Sequence, residues 1–307
     1  MRKTKRMGEW FQIIIPPTWK GKTVFELFRI EWEVPRKLIH NYRITNKVLI
    51  NGIECDWNAP LNDGDKLLIK LFAEEESKIQ PYFYELDILF EDDHLLVVNK
   101  PPFMKTHPND SKKEQETLLN AVAYHMLETG QMRNIHQIHR LDRDTTGAIL
   151  FAKHDLASAI LAVMLDKRKI KRTYLALTHG IFPKKKGTIN QPIGRDRHHP
   201  TKRRVSQSGK HAVTHYQVIK EDKQRNLSYI KCSLETGRTH QIRVHLSSIG
   251  HPLVGDTLYG GKPDANRQAL HAVKLELPHP FTGESVICLA PFKDNPTIFQ
   301  SLDIHSL

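Results

Sequence analysis

His139-Arg140-Leu141-Asp142-Arg143-Asp144-Thr145-Thr146-Gly147 crowds ionisable side chains into one short stretch and leads directly into Ala148-Ile149-Leu150-Phe151-Ala152. The second stretch is a continuous apolar run, the pattern of a buried strand. A loop that feeds such a strand is held at one end, which suits a carboxylate that must keep its aim. Arginines on both sides of Asp142 favour its ionised form. An ionised, positioned carboxylate can act as a nucleophile or a general base. It can equally spend its oxygens on neighbouring backbone amides as a turn residue. Residue chemistry leaves both readings open and does not choose between Asp142 and Asp144.

Outward from this stretch the pattern is of strands joined by hairpins and helices. Residues 87–90 and 95–100 read as strands around the Asp92-Asp93 turn. Leu118, Leu119, Val122, Ala123 and Met126 share one helical face. Asp155 reads as the cap of a helix whose apolar positions are Leu156, Ala159, Ile160, Val163 and Met164. Alternating runs at 173–178, 213–219 and 227–234 predict strands, and strands return at 269–277 and 285–289. A helix is expected from about Thr239 to Gly250. The fold class is α+β, with a mixed, mostly antiparallel sheet.

Residues 1–75 form a smaller unit, and residues 76–84 read as a linker before a large domain over 85–307. In the small unit Thr23 and Glu26 have capping-box spacing. A second helix starts near Pro35, with Arg36, Lys37, His40 and Arg43 on its polar side. Asn51-Gly52 between apolar residues predicts a hairpin. This small α+β unit resembles an RNA-binding module first named in a small-subunit ribosomal protein.

Composition narrows the function classes. The 46 Lys and Arg against 34 Asp and Glu leave a net charge of +12, the footprint of a nucleic-acid binder. The charge clusters at Lys167 to Arg172, at Lys184 to Lys186, and from Arg195 to Arg204. No run of about 18 apolar residues predicts a membrane span. The apolar run at 11–15 stops at Pro16-Pro17, too short for an export signal. Cys55, Cys232 and Cys288 lie too far apart for a disulfide framework or a zinc ribbon, which fits a reducing cytoplasm. The 18 histidines show no metal-ligand spacing, so no metal is expected.

His139-Arg140-Leu141-Asp142 with Asp144-Thr145-Thr146-Gly147 resembles the signature of the RluA-type RNA pseudouridine synthases. Further blocks match in the same order. They are Val97 to Pro101, Lys171 to Ala176, Thr236 to Leu246, Gly255-Asp256 with Tyr259-Gly260, and Leu270-His271-Ala272. Thr146 stands where serine is usual, and Arg143 where lysine is common. The resemblance covers about residues 85–295, and the basic N-terminal module is a common companion in that family.

The resemblance implies isomerisation of uridine in structured RNA, ribosomal RNA ahead of transfer RNA, by a cytoplasmic monomer without a cofactor. Asp142 is then the catalytic carboxylate, acting while the bond to N1 breaks and C5 is joined to C1′. Arg238 would pair with Asp142 and orient it, a task that suits a bidentate guanidinium. Tyr174 would stack on the target base and could take the C5 proton. Arg140 would fill the gap left by the extruded uridine. Arg36, Lys37 and Arg43 would hold RNA from the N-terminal module. Two other readings stand beside this one, a non-catalytic RNA-binding or ribosome-assembly factor and a metal-dependent nuclease. The first is disfavoured by the presence of Asp142, Arg238 and Tyr174, and the second by the absence of paired carboxylates.

Overall fold

The computed structural model describes residues 2–299 and 302–304. Its N-terminal sheet contains β1 (Thr4–Met7), β2 (Trp10–Ile14), β3 (Val48–Ile50), β4 (Ile53–Glu54) and β5 (Lys66–Lys70). The order is β1-β2-β5-β3-β4, antiparallel throughout. The Thr23 hydroxyl accepts from the Glu26 amide at 3.1 Å, and the Glu26 carboxylate accepts from the Thr23 amide at 2.8 Å. That reciprocal cap starts α1 (Val24–Glu26), which runs on as a wider turn over Leu27–Glu31. In α2 (Arg36–Ile44) Ile39 and Tyr42 are buried, while Arg36, Lys37, His40 and Arg43 face outward. Asn51 and Gly52 both adopt positive φ, the geometry of a two-residue turn, and join β3 to β4.

The larger domain comprises β6 (Ile88–Glu91), β7 (Leu95–Lys100), α3 (Leu118–Glu128), β8 (His136–Gln137), β9 (Thr146–Ala152) and α4 (Asp155–Asp166). It continues with β10 (Lys171–His179), β11 (Lys186–Asn190), β12 (Ile193–Arg195), β13 (Arg203–Val205), β14 (Val213–Asp222) and β15 (Leu227–Leu234). It closes with α5 (Gln241–Ser248), β16 (Leu270–Pro278) and β17 (Ser285–Leu289). The main sheet runs β11-β14-β15-β10-β16-β9-β7-β6, with β17 on β16 and β8 on β9. β12 and β13 form a separate two-stranded hairpin.

The pairing of β9 with β16 is parallel, and it lies at the mouth of the charged loop. Gly147 opposes Ala272 there with φ of 113°, and a Cβ on it would meet the Ala272 carbonyl oxygen at 2.3 Å. Only glycine fits at that position. The helix after β9 differs in its cap from the sequence reading. His154, not Asp155, precedes the first turn, and its Nδ1 accepts from the Ala157 amide at 3.2 Å. Asp155 instead pairs with His136 at 2.7 Å.

The two sheets share one buried cluster. Phe11 and Trp32 of the small unit pack edge-on against Phe281 of the large one, with ring centroids 5.0 and 5.9 Å apart. Phe11 and Phe72 flank His94, and Phe72 also meets His154. Residues 71–87 contain no helix or strand, yet they are pinned along α3. The Tyr82 amide donates to the Asn120 carbonyl at 3.1 Å, and the Asn120 amide side chain donates to the Gln80 carbonyl at 2.7 Å. No helix among the described residues is long and apolar enough to cross a membrane.

Candidate active site

The charged loop before β9 is held from below by two buried basic side chains. Lys100, at the end of β7, donates to the carbonyls of Pro101, Met104 and Arg143 at 2.8, 2.7 and 2.8 Å. Those three acceptors match the three N–H donors of an ammonium. Burial, and next the charge of Arg267, push Lys100 down to about 7. Arg267, clamped by Asp294, donates to the Asp144 carbonyl at 3.2 Å and to the Thr146 hydroxyl at 2.9 Å. The Thr106 hydroxyl both donates to the Leu141 carbonyl and accepts from its amide. With its backbone fixed from below, the loop places the Asp142 side chain in the lining of the clefts beside it.

The cation that meets Asp142 comes from α5. Arg243 Nη1 donates to Asp142 Oδ2 at 3.0 Å, while its Nε and Nη2 bind Asp256 at 2.7 and 2.9 Å. The fork is thus set by a buried carboxylate and offers its remaining corner to Asp142. Burial opposes the charge on Arg243. The hydrogen bonds to Asp256 and the nearby carboxylates outweigh it and hold the guanidinium above its ordinary value.

This corrects the expectation for Arg238. Arg238 is exposed on the rim of the turn before α5, and its Nε donates to the His211 carbonyl at 2.9 Å. It lines the same cleft but does not pair with Asp142. The flanking arginines do not neutralise Asp142 either: Arg143 binds Asp144 at 2.7 Å, and Arg140 is exposed. Sequence reasoning misses Arg243: its burial among positions 241–246, which makes a carboxylate partner necessary, emerges only in the fold, where Asp256 supplies it.

Asp142 stands between two clefts. One, of about 510 Å³, is lined by Arg172, Tyr174, Arg238 and Leu270 among others. The second, of about 770 Å³, includes Arg140, Pro200, Arg203 and Arg267. Both also include Asp142, His240 and Arg243. Tyr174 lies in β10 and is 4% exposed. Burial above all, opposed by Arg172 and reinforced by Asp142, raises its phenol. The ring therefore enters the cleft as a protonated apolar wall with a polar tip, not as a standing base.

Arg36, Lys37 and Arg43 lie outside both clefts, on the exposed face of α2.

Comparison with known proteins gives the same frame to both sheets. Residues 94–248 match the family described as RNA pseudouridylate synthase, and residues 11–67 match the RluD ribosomal pseudouridine synthase N-terminal domain. The RNA pseudouridine synthase YhcT of Bacillus subtilis is 46% identical over 93% of this chain and 94% of its own length. The ribosomal large subunit pseudouridine synthase D of Pasteurella multocida is 40% identical over 84% and 82%. Among solved structures, human RNA pseudouridylate synthase domain containing 1 superposes with a TM-score of 0.58 at 28% identity. It spans 72% of this chain and 93% of that one.

Proposed function

The chain belongs to the RNA pseudouridylate synthase family, and we propose that it isomerises uridines of large-subunit ribosomal RNA with Asp142 as the catalytic carboxylate. Pseudouridine synthesis keeps every heavy atom of the uridine. The N1 bond to C1′ breaks, C5 is joined to C1′, the proton leaves C5 and one is taken up at N1. The single observation that carries the assignment is the Asp142–Arg243 contact at the junction of two clefts. A carboxylate held through one oxygen by the corner of a guanidinium keeps its other oxygen for the sugar or the base.

Position supports the remaining roles in this reading. Tyr174 serves as the platform for the base in the smaller cleft. Arg140, exposed on the rim between the clefts, takes the place the uridine leaves in the RNA stack, offsetting the few kcal/mol of extrusion. Arg238 binds RNA at the cleft edge. Arg36, Lys37 and Arg43 contact phosphates from the outer face of α2. The reading of the substrate as large-subunit RNA draws support from the names of the relatives, including the synthase D proteins.

The test is incubation of the full chain with unmodified large-subunit RNA and, separately, with transfer RNA, followed by mapping of pseudouridine. Discrete pseudouridines in the ribosomal RNA are expected, and none with Asp142→Asn, which is isosteric and removes only the charge. Modification of transfer RNA alone would move the substrate, and full-rate turnover by Asp142→Asn would remove the carboxylate from the chemistry.

A further inference from the structure

A tyrosine that the mechanism above leaves unused touches both groups that face Asp142. Tyr259 is 6% exposed, in the turn that follows Asp256. Its ring centroid lies 4.9 Å from the Arg243 guanidinium carbon and meets the His240 ring edge-on at 5.7 Å. Its hydroxyl makes two contacts, each at 2.8 Å, one with the Arg203 amide of β13 and one with His240 Nδ1.

A phenol hydroxyl has one hydrogen to give. The Arg203 amide can only donate, so it takes one of the oxygen's lone pairs, and the hydroxyl hydrogen is left for His240 Nδ1. A nitrogen that accepts carries no proton. In neutral imidazole the proton then sits on Nε2. Burial disfavours the imidazolium and lowers His240 below its ordinary value, which keeps the ring neutral. Nε2 lies 3.8 Å from Asp142 Oδ2, the oxygen that Arg243 holds. The His240 backbone is in the left-handed region, with φ of 58° at the start of α5, so the ring has a fixed origin.

We propose that Tyr259 is a positioning residue for the isomerisation: its hydroxyl fixes His240 in the tautomer that presents Nε2–H to Asp142, and ties that imidazole to the β12–β13 hairpin. The inference rests on the assignment of Asp142 above. The hairpin carries Arg195, Arg197, Lys202, Arg203 and Arg204 over residues 195–204, and Lys202 Nζ stands 5.6 Å from the Tyr259 ring centroid. RNA phosphates drawn to these cations bear on the same hydroxyl that orients His240. Without the hydroxyl, the imidazole is free to carry its proton on Nδ1 and to turn a lone pair toward the carboxylate.

The experiment is ¹⁵N NMR of the histidines in the full chain, with His240 assigned by its loss in His240→Gln, together with steady-state kinetics. The wild-type protein should show His240 with Nε2 protonated and Nδ1 bare, and Tyr259→Phe should shift it toward the other tautomer. In the same variant kcat should fall about tenfold while KM changes much less, the signature of an interaction made in the transition state. His240→Gln, which keeps an N–H near the Nε2 position, should retain more of kcat than His240→Ala. A bare Nε2 in the wild-type protein overturns the proposal, as does an unchanged kcat in a folded Tyr259→Phe. Should that variant not fold, the wild-type tautomer and the two His240 variants decide. The tautomer is read in the free protein, so a chain without turnover on any RNA sinks the functional assignment and leaves the tautomer claim to stand or fall alone.

Discussion

Arg243 reaches Asp142 across 101 residues of sequence and is aimed by Asp256, only 13 residues away. The geometry separates it from Arg238, which precedes the same helix. Lysine at position 243 has no fork and cannot serve both carboxylates. Arg243→Lys should therefore lower kcat by a factor of about one hundred or more, and Arg243→Ala should also destabilise the fold by roughly 3–5 kcal/mol, because buried Asp256 loses its partner. Arg238→Ala should leave kcat at saturating RNA nearly unchanged and weaken binding. The comparison of kcat between positions 238 and 243 decides the matter, and a reversed order would return the pairing to Arg238.

Lys100 supports the loop that carries Asp142 through three carbonyls. Lys100→Met leaves those acceptors buried without a donor, at roughly 1–3 kcal/mol each where no water replaces it. Its melting temperature should drop sharply. The pH dependence has a definite sign. Burial holds folded Lys100 down at about 7, below its ordinary value of 10.5. Between those values the unfolded chain holds a proton that the folded chain has released, so this residue's contribution to stability rises with pH. The stability gap between wild type and Lys100→Met should widen from pH 7 to pH 10. A gap that narrows over that range would refute the buried titration.

Much of this architecture was readable from residues, and the gaps have physical causes. β15 lies where its alternating pattern puts it, β17 spans the strand expected at 285–289, and the Thr23–Glu26 cap forms as its spacing predicts. β2 carries no clear strand period, because Phe11, Ile13 and Ile15 alternate with apolar Trp10 and Ile14, and β1 is mostly exposed polar residues. The Asp142–Arg243 contact was hidden for another reason. It depends on the parallel β9–β16 pairing and on the roll of α5, neither of which local spacing encodes. His154 took the cap position from Asp155 because a neutral imidazole can accept an amide hydrogen as a carboxylate does.

The outward face of α2 predicts a salt effect. Each phosphate that a cation neutralises contributes about 0.9 to the slope of log affinity against log salt on duplex DNA, and about 0.7 on single strands. Replacing Arg36, Lys37 and Arg43 together by alanine should flatten that slope by roughly two units, with kcat at saturation retained. An unchanged slope would mean that α2 does not touch RNA. Point substitution is the sharper tool here, because removing residues 1–75 would also strip Phe11, Trp32 and Phe72 from Phe281, His94 and His154.

The shared cluster between the two sheets makes the fold sensitive to acid. His154 Nδ1 accepts from the Ala157 amide, so its proton sits on Nε2 and is donated to His94 Nδ1 at 2.9 Å. The pair works only while both rings are neutral. Burial first, and the neighbouring cations and imidazoles after it, push His154 to about 3 and His94 well below its ordinary 6.5. Burial does the same to His139, at about 3, and to His271, at about 4. As pH falls from about 6.5 toward these folded values, the unfolded chain takes up protons that the folded chain refuses. Each such group then removes up to about 1.4 kcal/mol of stability per pH unit. The denaturation midpoint should fall steeply between pH 7 and pH 5, and His154→Gln should be less steep. Gln retains a side-chain amide but cannot charge, so the neutral protein should lose some stability while the acid slope loses one proton. Equal acid slopes for wild type and His154→Gln would show that this imidazole charges in the folded state as readily as in the unfolded one.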